Sequence, residues 1–323
     1  MIFTASPPSN LVETFLGGHE AVMLFFVLSG FVLSLPYLGN KQKPYRTFIK
    51  RRLARIYLPY LAALTLAVVG CALWHGRVVN TVTSTWSYPV DVRSVINQVL
   101  FLGDYDKARY NVVFWSLIYE LRVSLLFPAM MFVYKRATTL AAVVMTVSLG
   151  LIGILNPNLT TIGYMGIFFM GVLLADKRKA VQTFYRGLSL WQKVTFSVAA
   201  FVAYSQGHLL LTTRLWHLGD MPVALGAVSL IVIGLSSETA IKLLNHAVPT
   251  FLGKISYSLY LVHATVLWSM IAIFHAKFSP ITILLAFLPI SVLISWGFYL
   301  AVERPAIGLS QAIGRKKYVE VAA

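Results

Sequence analysis

The chain is poor in charge, and poorest in negative charge. Only 12% of its 323 residues are Asp, Glu, Lys or Arg, and the 11 acidic residues face 27 basic ones. With 58% hydrophobic residues and a mean hydropathy of +0.75, this composition excludes an ordinary soluble globular protein. Cysteine is almost absent: Cys71 stands alone, which excludes an internal disulfide and any multi-cysteine metal site. No Lys or Arg precedes Lys41, so the opening segment lacks the charged n-region of a secretory signal. Internal repeats, low-complexity tracts and shifts of composition are also lacking, which favours one membrane domain over 1–323.

What the chain has in abundance is long apolar sequence. A helix needs about 17 to 25 apolar residues to cross the hydrocarbon core. Such stretches recur at 21–37, 56–74, 112–134, 138–155, 161–175, 194–212, 222–236, 250–274 and 281–301, the fifth and seventh being short. The expected fold is an all-α integral membrane protein, a multispan helical bundle of about nine transmembrane helices. The polar interval 75–111 has room for a surface-lying helix around "SVINQVLFLG".

The net charge of +16 is topological rather than a nucleic-acid footprint. With the N-terminal segment 1–20 outside, the inside segments 39–55, 135–137, 176–193, 237–254 and 302–323 carry 20 of the 27 basic residues. That is the positive-inside bias of a plasma-membrane protein whose tail, 302–323, is cytoplasmic.

Four polar constellations interrupt the apolar sequence. In "NVVFWSLIYELRVSLLFPAMM", 111–131, Glu120 and Arg122 lie two positions apart, about 200° around a helix, so they cannot pair with each other. Ser116, Glu120 and Ser124 share one stripe, while Trp115, Tyr119 and Arg122 share a second. Ionisable groups at membrane depth are costly, so both charges are candidates for function, although a buried structural ion pair or a helix cap would also account for the carboxylate. In "YRTFIKRRLARIYLPYL", 45–61, Arg51, Arg52 and Arg55 crowd a helix end at the cytoplasmic surface. Their forked guanidinium groups suit an anionic, phosphate-bearing ligand, or else anchor the helix to headgroups.

In "FLGKISYSLYLVHATVL", 251–267, Ser256, Tyr260 and His263 form a polar stripe down a span. His263 is a candidate base or a hydrogen-bonding hub. In "GGHEAVMLFFVLSGFVLSLPYL", 17–38, His19 and Glu20 sit at the outer mouth of the first stretch. His19 faces either a reaction site or the interface. Ser29 and Gly30 are small enough to allow a neighbouring helix close approach. Glu303 is expected to be structural, tying helix ends together through an arginine.

Five of these segments together resemble the membrane-bound acyltransferase-3 family, which includes O-antigen and exopolysaccharide O-acetylases. They are "FFVLSGFVL" (25–33), "FIKRRLARIYLPYL" (48–61), "WSLIYELRVSLLFP" (115–128), "LGKISYSLYLVH" (252–263) and "VERP" (302–305), and they occur in the family's order. The resemblance implies an enzyme that takes an acyl group, usually acetyl, from cytoplasmic acyl-CoA to a hydroxyl of a saccharide or another cell-envelope acceptor. It implies that Arg51, Arg52 and Arg55 face the donor's phosphates, and that Glu120 is the acidic residue of the family's "WSLxxE" pattern. His19, Glu120 and Arg122 are the expected catalytic residues; Trp115, Ser116, Tyr119, Ser256, Tyr260 and His263 are expected to line the substrate site. No permanently bound cofactor, metal or nucleic acid is expected, and the partners are acyl-CoA, a carbohydrate or lipid-linked saccharide, and membrane lipids.

Two departures stand out. The family commonly has Asp where this chain has Met23, and it usually opens with a span carrying an Arg and a His that nothing here matches. The expectation is a chain lacking that span, with His19 or His263 as the substitute base. The competing readings are a catalytically inactive relative and a multispan transporter or flippase of a lipid-linked saccharide; the internal symmetry common in transporters is not visible.

Overall fold

A computed structural model describes residues 18–77, 85–101, 106, 108–207 and 219–314. Among them the only regular structure is helical. The α-helices in chain order are α1 (Gly18–Leu38), α2 (Tyr45–Arg52), α3 (Leu58–Trp74), α4 (Val92–Leu100), α5 (Trp115–Tyr134), α6 (Thr139–Leu155), α7 (Thr160–Gly187), α8 (Leu190–Gln206), α9 (Asp220–Ser236), α10 (Glu238–Leu244), α11 (Ala247–Phe274), α12 (Pro280–Phe298) and α13 (Arg304–Ala312). Short π-helical segments, Leu53–Tyr57 and Tyr299–Glu303, join α2 to α3 and α12 to α13. What the sequence reads as a cytoplasmic tail from residue 302 therefore begins as a continuation of a helix.

Each of the nine apolar stretches lies on a helix, except that 208–212 of the sixth falls outside the described residues. Yet among the described residues five helical segments are long and apolar enough to cross a membrane: Gly18–Leu38, Tyr45–Trp74, Val112–Tyr134, Ala247–Phe274 and Pro280–Ala312. A sixth is reached if α9 and α10, bent by 91° at their junction, count as one span. Of about nine spans expected, five or six are thus supported among the described residues, and the remaining stretches lie on helices that are short or partly charged. Helices α6 and α8 are each 17 residues long, and the second half of α7 carries Asp176, Lys177, Arg178 and Lys179.

The chain divides into two compact units, Met1–Gln42 with Leu126–Pro249 and Lys43–Leu125 with Thr250–Ala323. Of the three divisions, one falls between α1 and α2 and the other two inside α5 and α11.

The first unit is held by close backbone approaches. A Cβ on Gly30 of α1 would lie 2.0 Å from the Phe168 carbonyl oxygen of α7, and one on Gly171 would lie 2.1 Å from that of Val27. The two helices touch backbone to backbone, which gives dispersion contact where lipid offers no hydrophobic drive. Phe26 fills the space beside this crossing, 5.0 Å from the Tyr164 ring and 5.3 Å from that of Phe168. Met23 is fully buried, so a thioether packs where the family commonly has a carboxylate. Helix α6 shows the same logic: it buries Ala142, Thr146 and Gly150, a small-residue stripe at fourfold spacing, and leaves Leu140, Val144, Leu151 and Leu155 exposed. Large apolar side chains turned outward are what a lipid-facing helix requires.

The second unit packs α3, α5, α11 and α12 around Tyr60, Phe114, Leu117, Leu261 and Phe298. Trp86 closes one end, its indole N–H donating to the Tyr110 carbonyl at 2.9 Å. Helix α4 is the surface helix expected in the polar interval, capped by Asp91, which accepts from the Ser94 N–H at 2.8 Å. It buries Ser94 and Gln98 and exposes Val92, Ile96 and Leu100, the orientation of a helix lying on lipid.

Gly30→Ala and Gly171→Ala are each expected to lower stability in detergent by ~1–3 kcal/mol through overpacking. Gly18→Ala and Gly187→Ala, where an added Cβ meets nothing within 4 Å, should leave the thermal unfolding midpoint unchanged.

Candidate active site

The polar residues of the second unit are drawn together by α5. Asn111 caps the turn before it, its side-chain oxygen accepting from the Val113 N–H at 3.1 Å. Its amide nitrogen donates to the Leu261 carbonyl at 3.1 Å and to Thr265 Oγ1 at 3.2 Å, anchoring α5 to α11. From there Ser116, Glu120 and Ser124 follow at one position per turn, and all three are buried.

Glu120 is paired. The Arg52 guanidinium, at the end of α2, donates from Nη2 to Glu120 Oε1 at 2.9 Å and to Ser124 Oγ at 2.8 Å. Its Nε donates to Ser124 Oγ at 3.3 Å. Two charges buried together are tolerated when one neutralises the other and a further hydrogen bond fixes the geometry. The pairing is incomplete: Glu120 Oε2 is buried with no hydrogen-bond partner. Such an atom in a folded protein needs an explanation, and a ligand donor is one.

The other predicted residues divide into three groups. Arg51 is a helix cap: its Nε donates to the Ile313 carbonyl and its Nη2 to that of Gln311, both at 2.9 Å, at the end of α13. Ser310 returns a hydrogen bond to the Arg51 carbonyl at 3.0 Å. These bonds answer the open carbonyls of a helix C-terminus. Arg55 is exposed and makes no hydrogen bond or ion pair among the described residues, while lying near enough to Arg52, Glu120 and Glu303 to interact with their charges. Arg122 is exposed and likewise without a partner among the described residues. Helical geometry separates it from Glu120 as expected, but the structure gives it no partner from another helix.

Tyr260 and Ser116 meet: the two hydroxyls are 2.6 Å apart, and Tyr260 also lies 2.6 Å from the Val113 carbonyl. With the tyrosine proton given to the carbonyl, Ser116 is the donor between the hydroxyls. Trp115 and Tyr119 are half-buried and pack edge to face at 6.1 Å. His263 is half-buried, its Nδ1 donating to the carbonyls of Leu259 at 2.9 Å and Tyr260 at 3.0 Å. That fixes Nε2 as the accepting nitrogen. Ser256 departs from the expected stripe: it is exposed, and its hydroxyl bonds back to Gly253 of its own helix at 2.9 Å.

Its neighbours Tyr257 and Ser258 are the residues that sequence reasoning missed. The Tyr257 hydroxyl donates to the Ile56 carbonyl at 2.8 Å. Ile56 belongs to the π-helical segment, where the hydrogen bond from the Leu58 N–H to the Leu53 carbonyl shifts the ladder by one residue. Ser258 binds Glu303 through both its backbone N–H, at 3.1 Å, and its hydroxyl. Glu303 therefore ties helices together as expected, but through a serine rather than an arginine.

His19 belongs to the first unit. Its Nε2 lies 2.7 Å from Oδ1 of Asp220, in the first turn of α9. Asp220 was not singled out in the sequence because 201 positions separate the partners; a lone Asp opening an apolar run reads as a helix-start residue.

Arg52→Ala and Glu120→Ala are each expected to destabilise the detergent-solubilised protein by ~3 kcal/mol, since each strands a buried charge. The double substitution Arg52→Leu with Glu120→Leu should cost less than the sum of the two, as read by thermal unfolding.

No curated protein and no solved structure matches the chain. A family model, the acyltransferase domain of acyltransferase-3, matches residues 2–300. That match takes in every predicted site residue, from His19 to His263, and with it the chain belongs to the membrane acyltransferase-3 family.

Proposed function

We propose that the chain is a multi-pass acyltransferase of the inner (plasma) membrane, with its N-terminal side outside and its C-terminal side cytoplasmic. It moves an acyl group, acetyl in the first instance, from cytoplasmic acyl-CoA to a hydroxyl of a saccharide or another cell-envelope acceptor. The observation that carries this reading is the buried Arg52–Glu120 pair with its unbonded carboxylate oxygen, set in the segment that matches the family's acidic motif.

In this proposal the donor's phosphates are met by Arg55, whose guanidinium is exposed, with Lys50 and Arg46 on the same basic helix. Arg51 contributes indirectly: its bonds to the end of α13 fix the helix that presents the others. Arg52 spends Nε and Nη2 on Glu120 and Ser124. Its Nη1 hydrogens suit the negative charge that develops on a thioester oxygen under attack. Glu120 Oε2 accepts a hydrogen bond from a substrate hydroxyl or amide; in the first unit the group assigned as a proton acceptor is His19.

Membranes containing the chain, supplied with labelled acetyl-CoA, should incorporate label into an envelope saccharide. Glu120→Ala should reduce this by ~10²-fold or more. Arg55→Ala should raise the half-saturating acetyl-CoA concentration ~10-fold through a lost phosphate contact while sparing the maximal rate. Incorporation by the wild-type chain no greater than by Glu120→Ala would overturn the acyltransferase reading.

A further inference from the structure

Helix α7 of the first unit changes character at Asp176. Up to Ala175 it buries glycine, aromatic and aliphatic residues; beyond, as far as Gly187, it carries Lys177, Arg178, Lys179 and Arg186. The single acid among them, Asp176, lies 3.1 Å from the Lys177 ammonium. Arg178, Lys179 and Arg186 are exposed, and their side chains make no hydrogen bond or ion pair among the described residues. The segment that carries them is fixed in place. Gln182 Nε2 donates to the Leu235 carbonyl near the end of α9 at 2.9 Å, and the buried Tyr185 ring packs edge to face on Phe196 of α8 at 5.7 Å.

The turn into α8 joins these cations to an apolar surface. Lys193 Nζ donates to the Arg186 carbonyl at 3.1 Å, and Ser189 with Gln192 forms a capping box. Leu190 and Trp191, which follow at once, are 76% and 80% exposed, and Phe184 is 65% exposed. Trp191 heads a stripe of exposed residues along α8, continued by Val194, Val198 and Val202 at helical spacing. Such a stripe faces lipid, and because it runs unbroken to Trp191 the same bilayer reaches the hairpin. An indole at the end of a lipid-facing stripe suits headgroup level. Large apolar side chains beside uncompensated cations are the composition of an interface-bound helix. A second copy of the chain would set like charges against one another across a two-fold contact, and a soluble polyanion would leave Leu190 and Trp191 in water. An anionic phospholipid satisfies both the charge and the apolar surface.

We propose that the α7–α8 hairpin is a binding surface for anionic phospholipid. Arg178, Lys179 and Arg186 meet headgroup phosphates, the two guanidinium groups being suited to bidentate contact. Phe184, Leu190 and Trp191 enter the boundary between headgroups and acyl chains. The inference is independent of the acyltransferase reading, since it uses no residue assigned to the reaction.

The test places the full chain in phosphatidylcholine nanodiscs and reads quenching of Trp191 by lipids brominated on the acyl chain. The Trp191 signal is obtained as the difference between wild type and Trp191→Phe, because the chain has 7 tryptophans. Brominated phosphatidylglycerol at a low mole fraction should quench Trp191 as strongly as brominated phosphatidylcholine at about five times that fraction. Replacing Arg178, Lys179 and Arg186 together by Gln should make the two lipids equivalent. Should that variant fail to fold, wild type in ~1 M salt provides the second measurement, because screening should remove most of the preference. Equal quenching of wild type by the two lipids overturns the inference, as does a preference that survives both the triple substitution and high salt. Quenching by neither lipid also overturns it, and would mean that protein, either a second copy or a soluble partner, covers Trp191.

Discussion

In hydrocarbon a backbone N–H or C=O has no water to turn to, and each one left open costs several kcal/mol. This chain answers with helices throughout the described residues. It also satisfies locally the few carbonyls that helices release. In the π-helical segment Leu53–Tyr57 the Ile56 carbonyl receives a hydrogen bond from the Tyr257 hydroxyl of another helix. The same demand places Arg51 at the end of α13, where its guanidinium closes two terminal carbonyls. Side chains that look like ligand-binding groups in the sequence are in part answering the backbone.

That constraint separates the polar residues into those fully occupied by structure and those with capacity left over. Ser116, Tyr260, Ser258 and Glu303 have their hydrogen bonds within the protein. Glu120 retains a buried oxygen without a partner, and Arg55 retains an exposed guanidinium near three other charges. Chemistry is assigned to the second group because incompletely satisfied polar atoms are what a substrate can complete.

Several features were legible from residue order. The periodicity of Ser116, Glu120 and Ser124 identified a buried polar stripe, since fourfold spacing repeats a face of any α-helix. The 200° between Glu120 and Arg122 ruled out their pairing, again from helix geometry alone. Gly30 was read as a point of close approach, and the Phe168 backbone lies against it. The stripe on α11 was misread at one residue. Ser256 points outward, whereas Tyr257 and Ser258 reach the neighbouring helices. A span surrounded by other helices buries more than one face, so spacing alone could not choose between adjacent polar residues.

By itself, the sequence determined the solvent, the helical class, the order of the apolar stretches and the family, because these follow from composition, local periodicity and contiguous motifs. The tertiary structure decided which charges find partners. It gave Glu120 to Arg52, 68 positions away, and His19 to Asp220, 201 positions away. It committed Arg51 to a helix end and left Arg122 exposed. Pairing across such separations depends on which helices pack side by side, and helix packing is set by the shape of whole faces rather than by any short run of residues.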